Sequence, residues 1–291
     1  MTHTPPEHTL EKVLDLLDVT PGAGDTFICA TGWPSAGARQ VVEGTPLLGQ
    51  ALVAAAKRFP NMSVRSAHAV FSRIVNTGRP VEFRVHATHE GRSTAAAVVA
   101  IWQDERQCAT VTVLVDTPTI DVVRHQLPRA EVGHPDDAHP SPEALRGMRS
   151  HVVEMSDVNS AEQVGPPVLH AWLHYDQIPM RADLVKALLA YPAGHLAIAV
   201  ALRPHPGFGT SQSHHSLSTG VLSASISFHE PVTFEDWLLY SWESTHAGAG
   251  MAYVRGTVHT ADGELLASFT IEGMIRPLGH TAQPIGVDQR L

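Results

Sequence analysis

Histidine is the residue type in this sequence that offers the most general-base or metal-ligand chemistry. The 291 residues include 19 histidines, but these are scattered and form no His-Glu-x-x-His motif. His214 and His215 are adjacent, within the segment Gly207-Phe-Gly-Thr-Ser-Gln-Ser-His-His-Ser. The Gly and Ser content of this segment is typical of a loop, so a solvated loop is favoured over a metal site for the pair.

The two cysteines, Cys29 and Cys108, are the other candidates for reactive side chains. They are too few for a structural zinc site and lie far apart in the sequence. Residues 1–7 lack the basic and apolar regions of a signal peptide, so a cytoplasmic location with reduced thiols is expected. We therefore expect both cysteines to act as small apolar residues.

The composition excludes several classes of protein. Hydrophobic residues make up 43 % of the chain and charged residues 17 %, which is enough apolar material for a folded core. The formal charge is -9 and no run of Lys or Arg occurs, so neither nucleic acid nor an anionic membrane surface is expected as a partner. The longest apolar stretches, 184–189 and 196–202, are shorter than the roughly 20 residues of a membrane span.

The elements that would position a site alternate between two hydrophobic periods. Helical spacing predicts a helix over 10–17, after the N-cap Thr9, and another over 47–59. The period then changes to two, and strands are predicted over 63–75, 81–88, 94–102 and 109–115. One helix followed by antiparallel strands indicates an α+β fold with a sheet wrapped on the helix.

Residues 117–167 are predicted to connect two halves of the chain. They contain seven of the 21 prolines, and Ser141-Pro142-Glu143 predicts one short helix. After them the alternation resumes, with a predicted helix over 181–191 and predicted strands over 168–176, 195–203, 219–228, 234–244, 252–260 and 265–275.

The two halves resemble each other at a constant offset. Ser66-Ala67 corresponds to Ser223-Ala224, Phe71 to Phe228 and Gly91 to Gly248, each pair separated by the same number of residues. This constancy favours an internal duplication over chance matches.

The order and spacing of several motifs resemble those of the acyl-CoA thioesterase II family. Those in the first half are Leu48-Gly-Gln-Ala-Leu-Val-Ala-Ala, Ser66-Ala-His-Ala-Val-Phe, Glu90-Gly-Arg-Ser and Val98-Val-Ala-Ile. Those in the second half are Leu188-Leu-Ala-Tyr, Val200-Ala-Leu-Arg-Pro-His, Phe228-His-Glu-Pro, Glu235-Asp-Trp-Leu-Leu-Tyr-Ser-Trp-Glu-Ser-Thr, Val254-Arg-Gly and Glu272-Gly-Met-Ile-Arg.

The resemblance implies a double hot-dog fold, in which each half is a curved antiparallel sheet around a central helix. The expected halves are 10–116 and 168–277, joined by the Pro-rich connection 117–167 and followed by a tail, 278–291. It also implies hydrolysis of fatty acyl-CoA without a cofactor or metal, an acyl tunnel between the halves, and a homodimer or larger assembly.

The family holds its water with Asp, Thr and Gln, and all three positions differ here. By the family's motifs they correspond to Gly194, Val221 and Ile271, which have no polar side-chain atom. The family's Gly-Gly-Gln at a helix start is also altered, because this sequence has Gly44-Thr45-Pro46. The resemblance therefore implies weak hydrolysis.

Three neighbouring polar residues are candidate substitutes for the missing groups. His195 follows Gly194 and is a candidate general base, although a solvated strand-edge histidine is the simpler interpretation. Thr219 and Ser223 each lie two residues from Val221, so strand alternation predicts all three on one face. Either hydroxyl is a candidate to bind the water.

Two further functions remain open at this point. One is a non-catalytic protein that binds acyl-CoA or acyl chains in a degenerate thioesterase site. The other is a hydratase or dehydratase of the wider hot-dog group, for which Glu43 is a weak candidate acid. The fold alone does not choose among the three functions.

Overall fold

The computed structural model describes residues 9–34, 40–141, 145–229 and 231–278. The helices are α1 Leu10–Leu17, α2 Gly44–Arg58, α3 Ala182–Ala190 and α4 Ala197–Leu202, with 3-10 turns at Pro135–Asp137, Tyr191–Gly194 and Thr210–Gln212. The strands are β1 Thr20–Pro21, β2 Thr26–Cys29, β3 Ser63–Phe71, β4 Val81–Glu90, β5 Thr94–Gln103, β6 Arg106–Asp116, β7 His139–Pro140, β8 Met148–Val152, β9 Val168–Tyr175, β10 Leu217–Phe228, β11 Leu238–Gly248, β12 Met251–Thr260 and β13 Leu265–Pro277.

These strands form a single antiparallel sheet with the same strand order in each half. The order is β2-β4-β5-β6-β3 in the first half and β9-β11-β12-β13-β10 in the second, and β3 pairs with β10 where the halves meet. In that pair His68 lies opposite Ser225, and the two residues are 157 positions apart. The predicted duplication has the same offset, so the local two-fold axis passes through this pair. The predicted double hot-dog is confirmed.

Helix α2 is the central helix of the first half and is almost entirely enclosed. Its residues 45–55 are all buried, and most of them are small or aliphatic. A helix that is apolar all round has no polar face to present to water, so it is stable only when it is surrounded by other elements. The sheet and α3 surround it here.

The predicted strand over 195–203 is wrong, because this segment forms helix α4. The alanines of the segment 197–202 favour a helix, and they fit in the space against β11, β12 and β13. Together with α3 and the intervening turn it makes a helical segment of 21 residues, 182–202, whose most apolar 18-residue window has mean hydropathy 1.6. By length and composition it could cross a membrane, although 72 % of its most apolar part is buried inside the protein.

Other element boundaries also differ from the prediction. Strand β8 lies within the predicted connection 117–167 and pairs with β9, so part of that segment extends the sheet at the edge of the second half. The predicted strand over 234–244 begins and ends four residues later, at Leu238–Gly248. Residues 142–144 of the predicted short helix, and most of the predicted tail, lie outside the described residues.

Helices α2 and α3 approach closely at Gly49. A Cβ atom at this position would lie 3.2 Å from the Ala187 carbonyl oxygen and 2.9 Å from a Leu17 methyl group. Glycine therefore sets the distance between the two halves' helices, despite its low helix propensity.

Replacing Gly49 with Val should lower the free energy of unfolding by about 1–3 kcal/mol, because the added methyl groups must displace the α3 backbone or Leu17. Urea unfolding measures this. The control is Gly220→Val, since a Cβ at Gly220 has no neighbour within 4 Å, and it should change stability by about 0.5 kcal/mol or less. Equal effects of the two substitutions would contradict the packing argument.

Candidate functional site

A cavity of about 640 Å³ lies between the two halves. Its walls are the N-terminus of α2, the end of β3 with the loop after it, the turn before α4, and the first half of β10. Four of the six residues singled out from the sequence line this cavity, namely Gly194, His195, Thr219 and Val221. Ser223 and Ile271 are not among its lining residues.

The N-terminus of α2 forms one wall of the cavity. Glu43 is the N-cap residue and Gly44 begins the helix. Gly44 is required by packing, since a Cβ atom there would lie 2.6 Å from the ring of Phe71. Pro46 is tolerated in this first turn, where the helix needs no N–H donor. The positive end of the helix dipole consequently faces the cavity and favours negative charge there.

The turn that carries Gly194 is held by aromatic side chains from β11. The indole N–H of Trp242 donates to the Ala193 carbonyl at 2.8 Å, and the Tyr240 hydroxyl donates to the Leu189 carbonyl at 2.9 Å. The last carbonyls of a helix lack partners within it, so these donors allow the end of α3 to be buried. Tyr240 and Trp242 are themselves buried core residues.

Thr45 occupies the space beside Gly194. Its hydroxyl donates to the Tyr191 carbonyl at 2.8 Å. A Cβ atom on Gly194 would lie 3.0 Å from the Thr45 methyl group and 3.6 Å from a Val221 methyl group. Gly194 and Val221, two of the three positions where the resemblance implies polar residues, are thus neighbours in space. The side chain of Thr45 occupies the space beside them.

Ile271 is buried in the core on β13. It is 1 % exposed and lies opposite Ala224 on one side and Val254 on the other. The third position of the implied triad is therefore an apolar core residue here.

Ser223 does not share a face with Val221, so this prediction from strand alternation is wrong. Val221 lies opposite Gly273 and Ser223 opposite Glu272, so Leu222 is an extra residue in β10. Such a bulge reverses the alternation of the side chains that follow it. The Ser223 hydroxyl consequently donates to the exposed Glu272 carboxylate at 2.5 Å instead of reaching the cavity.

Thr219 lines the cavity, as Val221 does, and has a histidine next to it. Its Oγ1 lies 3.3 Å from Nε2 of His214, which is within hydrogen-bonding range for either tautomer of the imidazole. The loop that carries His214 turns back onto β10, and His214 adopts a left-handed backbone conformation with φ of 66°. The solvated loop predicted for His214 and His215 thus places one of them, His214, against the cavity.

His195 lies on the opposite wall, in the turn before α4. The prediction of a strand-edge histidine is wrong, because this segment is helical. Its Nε2 lies 3.9 Å from Oε2 of Glu43, and its ring packs edge-on against Tyr191. Burial, reinforced by the Glu43 carboxylate, raises the pKa of Tyr191 to about 12, so this phenol is neutral at physiological pH.

Sequence reasoning missed the roles of Thr45, His214 and Glu43. Thr45 was detectable as a departure from Gly-Gly-Gln, but nothing in the spacing indicates that it contacts Gly194, 149 positions further along. His214 precedes Thr219 by five positions, and only the fold of the loop brings the two side chains together. Within the described ranges, no group of three or more His, Cys, Asp or Glu side chains could hold a metal ion.

The contact between Thr45 and Gly194 predicts an energetic coupling. Gly194→Asp alone should destabilise the protein, because the new Cβ meets Thr45, and Thr45→Gly in the same chain should remove part of that loss. We expect a coupling free energy of about 0.5–3 kcal/mol in a double-mutant cycle of urea unfolding. Additive effects of the two substitutions would show that the sites are independent.

Comparison with known proteins places this geometry in a family. The model of the acyl-CoA thioesterase N-terminal domain matches residues 30–115, and that of the acyl-CoA thioesterase C-terminal domain matches residues 126–275. Acyl-CoA thioesterase 2 of Haemophilus influenzae is 28 % identical over 260 residues, which cover 82 % of this chain and 89 % of the relative. Human acyl-coenzyme A thioesterase 8 is 27 % identical over 260 residues, covering 80 % of each chain.

Two solved structures share the fold. A tesB protein of Mycobacterium avium subspecies paratuberculosis superposes with a TM-score of 0.78 at 24 % identity, covering 92 % of this chain and 100 % of the other. An acyl-CoA thioesterase II from Mycobacterium marinum superposes with a TM-score of 0.76 at 22 % identity, covering 92 % of this chain and 99 % of the other. With both family models matched along its length, this chain belongs to the acyl-CoA thioesterase II family.

Proposed function

We propose that this protein hydrolyses fatty acyl-CoA slowly in the cavity between its halves. The observation that carries the proposal is the pairing of Thr219 with His214 in the same cavity as the α2 N-terminus. A hydroxyl can bind a water, and a neighbouring imidazole can accept the proton of that water. A helix N-terminus can stabilise an oxyanion. The relatives' names support the acyl-CoA substrate.

In this mechanism the Thr219 hydroxyl holds the attacking water and His214 takes its proton. The water oxygen bonds to the thioester carbonyl carbon, and the negative charge that develops on the carbonyl oxygen faces the N-terminus of α2. The C–S bond then breaks, and the proton passes from His214 to the departing thiolate. The products are a free fatty acid and CoA. His195, paired with Glu43 on the other wall, is the second candidate base.

A non-catalytic acyl-CoA binding protein is the second candidate function. The observation that favours it is the apolar character of Gly194, Val221 and Ile271, which leaves the family's water-holding positions without a polar side-chain atom. Under either function the acyl chain binds in the space between the halves, where each buried methylene contributes about 0.8 kcal/mol.

We infer that residues 10–116 and 168–277 are the two functional halves, that the protein acts in the cytoplasm without a cofactor, and that it self-associates. Val70, Leu114 and Tyr253 support self-association, since they are 39–45 % exposed in the sheet.

Release of free thiol from decanoyl-CoA and palmitoyl-CoA tests the proposed water-binding pair. Thr219→Val and His214→Ala should each slow turnover by about 10²-fold, and the double variant should be little slower than either, because the two groups act as one unit. Ser223→Ala is the control and should turn over at the wild-type rate. A loss on His195→Ala alone would assign the base to His195 instead.

Wild-type protein that shows no turnover but binds decanoyl-CoA in calorimetry would establish the second candidate function. Brisk turnover unaffected by Thr219→Val, His214→Ala and His195→Ala would contradict the mechanism outright.

Restoring the family's polar residues should raise the rate once space is made for them. The variant combines Gly194→Asp and Val221→Thr with Thr45→Gly, because Thr45 fills the space beside residue 194. Ile271 is left unchanged, because it lies in the core and does not line the cavity. A single positioned polar group in such a site is worth about 10²–10³-fold in rate, so thiol release should be at least about tenfold faster than in the wild type. The matched control keeps Thr45, and it should gain less. No gain in either variant, with both folded by circular dichroism, would show that the backbone has diverged from the family.

A further inference from the structure

A second depression, of about 710 Å³, opens beside the first cavity and shares Arg73 and Ile74 with it. Three arginines line it, Arg73, Arg79 and Arg106, together with one carboxylate, that of Asp104. The formal charge of the whole chain is -9, so three cations around one depression contrast with the net charge of the protein. Their excess positive charge favours an anionic ligand.

The loop that carries two of these arginines is fixed by a buried amide. Gln103 is 5 % exposed, and its Oε1 accepts from the Asn76 backbone N–H at 2.8 Å while its Nε2 donates to the Asn76 carbonyl at 3.0 Å. This pair of hydrogen bonds ties the loop 72–80 to β5. A fixed loop reduces the conformational entropy that the arginines would lose on binding a ligand.

The arginines differ in how far they are already paired. Arg79 donates to Asp104 at 2.6 Å, and Arg73 donates to the Gln107 backbone carbonyl at 2.8 Å. Within the described residues, neither Arg73 nor Arg106 forms an ion pair with a carboxylate. Arg106 follows the tight turn Asp104-Glu105, whose residues have φ of 50° and 61°, and this turn directs the strand back beside the loop.

We propose that this arginine-lined depression binds the phosphate groups of the nucleotide part of the substrate, with Arg73 and Arg106 as the principal donors. The inference rests on the proposed function, because it requires that the thioester lies in the adjoining cavity. Guanidinium groups match phosphate oxygens with two parallel hydrogen bonds, and Arg73, which lines both spaces, lies where the substrate would pass from one to the other.

Calorimetry with CoA, dephospho-CoA, ADP and pantetheine tests this site on the intact chain. Wild-type protein should bind CoA more tightly than pantetheine, which lacks the phosphates. Arg73→Gln and Arg106→Gln should each weaken CoA binding about tenfold. Each should therefore reduce the ratio of the affinity for CoA to the affinity for pantetheine. Dephospho-CoA and ADP show which phosphates the arginines contact. Arg255→Gln is the charge-matched control, since Arg255 pairs with Glu243 on another part of the sheet, and it should bind CoA as the wild type does.

Three results would overturn the proposal: wild-type affinity for CoA in Arg106→Gln, an equal loss in Arg255→Gln, or no preference of the wild type for CoA over pantetheine. The proposed hydrolysis fails separately. Arginine-dependent CoA binding without thiol release would support this phosphate site and reject the hydrolase. Thiol release by a protein whose CoA affinity does not change in the arginine variants would support the hydrolase and reject this phosphate site.

Discussion

The pairing of β3 with β10 is the interaction on which the rest of the structure depends. Each half alone would expose this strand as a sheet edge, with unpaired N–H and C=O groups. Pairing the two edges through the His68–Ser225 axis satisfies those groups and joins the halves into one sheet. It also brings the N-terminus of α2, from the first half, against the turn at Gly194, from the second. The candidate site exists only because of this junction.

Close contacts at the junction depend on a few small residues. Gly49 allows α2 to approach α3, and Gly44 allows the start of α2 to lie against the Phe71 ring. Thr45 then fills the space beside Gly194 and donates a hydrogen bond to the Tyr191 carbonyl. In a close-packed interior a larger side chain at one of these positions requires a smaller one at its neighbour. The absence of a side chain at Gly194 is thus matched by Thr45, whose methyl group occupies the neighbouring space.

Polar groups remain in the cavity, but they come from different elements. Thr219 on β10 lies next to His214 from the preceding loop, and His195 lies 3.9 Å from Glu43 in another part of the cavity wall. The bulge in β10 decides which hydroxyl faces the cavity, since Thr219 before it lines the cavity while Ser223 after it contacts Glu272. The set of polar groups in the cavity therefore depends on one extra residue in one strand.

The sequence alone determined the fold class, the approximate elements and the family, because hydrophobic periodicity and motif order are local properties of the chain. It also located Gly194 and Val221, which the structure brings together at the cavity. Segment 195–203 was misassigned as a strand, since a short apolar run is compatible with either a strand or a buried helix. Only the tertiary structure showed that Ser223 points away from the cavity, that His214 lies next to Thr219 and that Thr45 lies beside Gly194. These contacts join residues far apart in the chain, or depend on a bulge and a loop conformation, and neither leaves a periodic signal in the sequence.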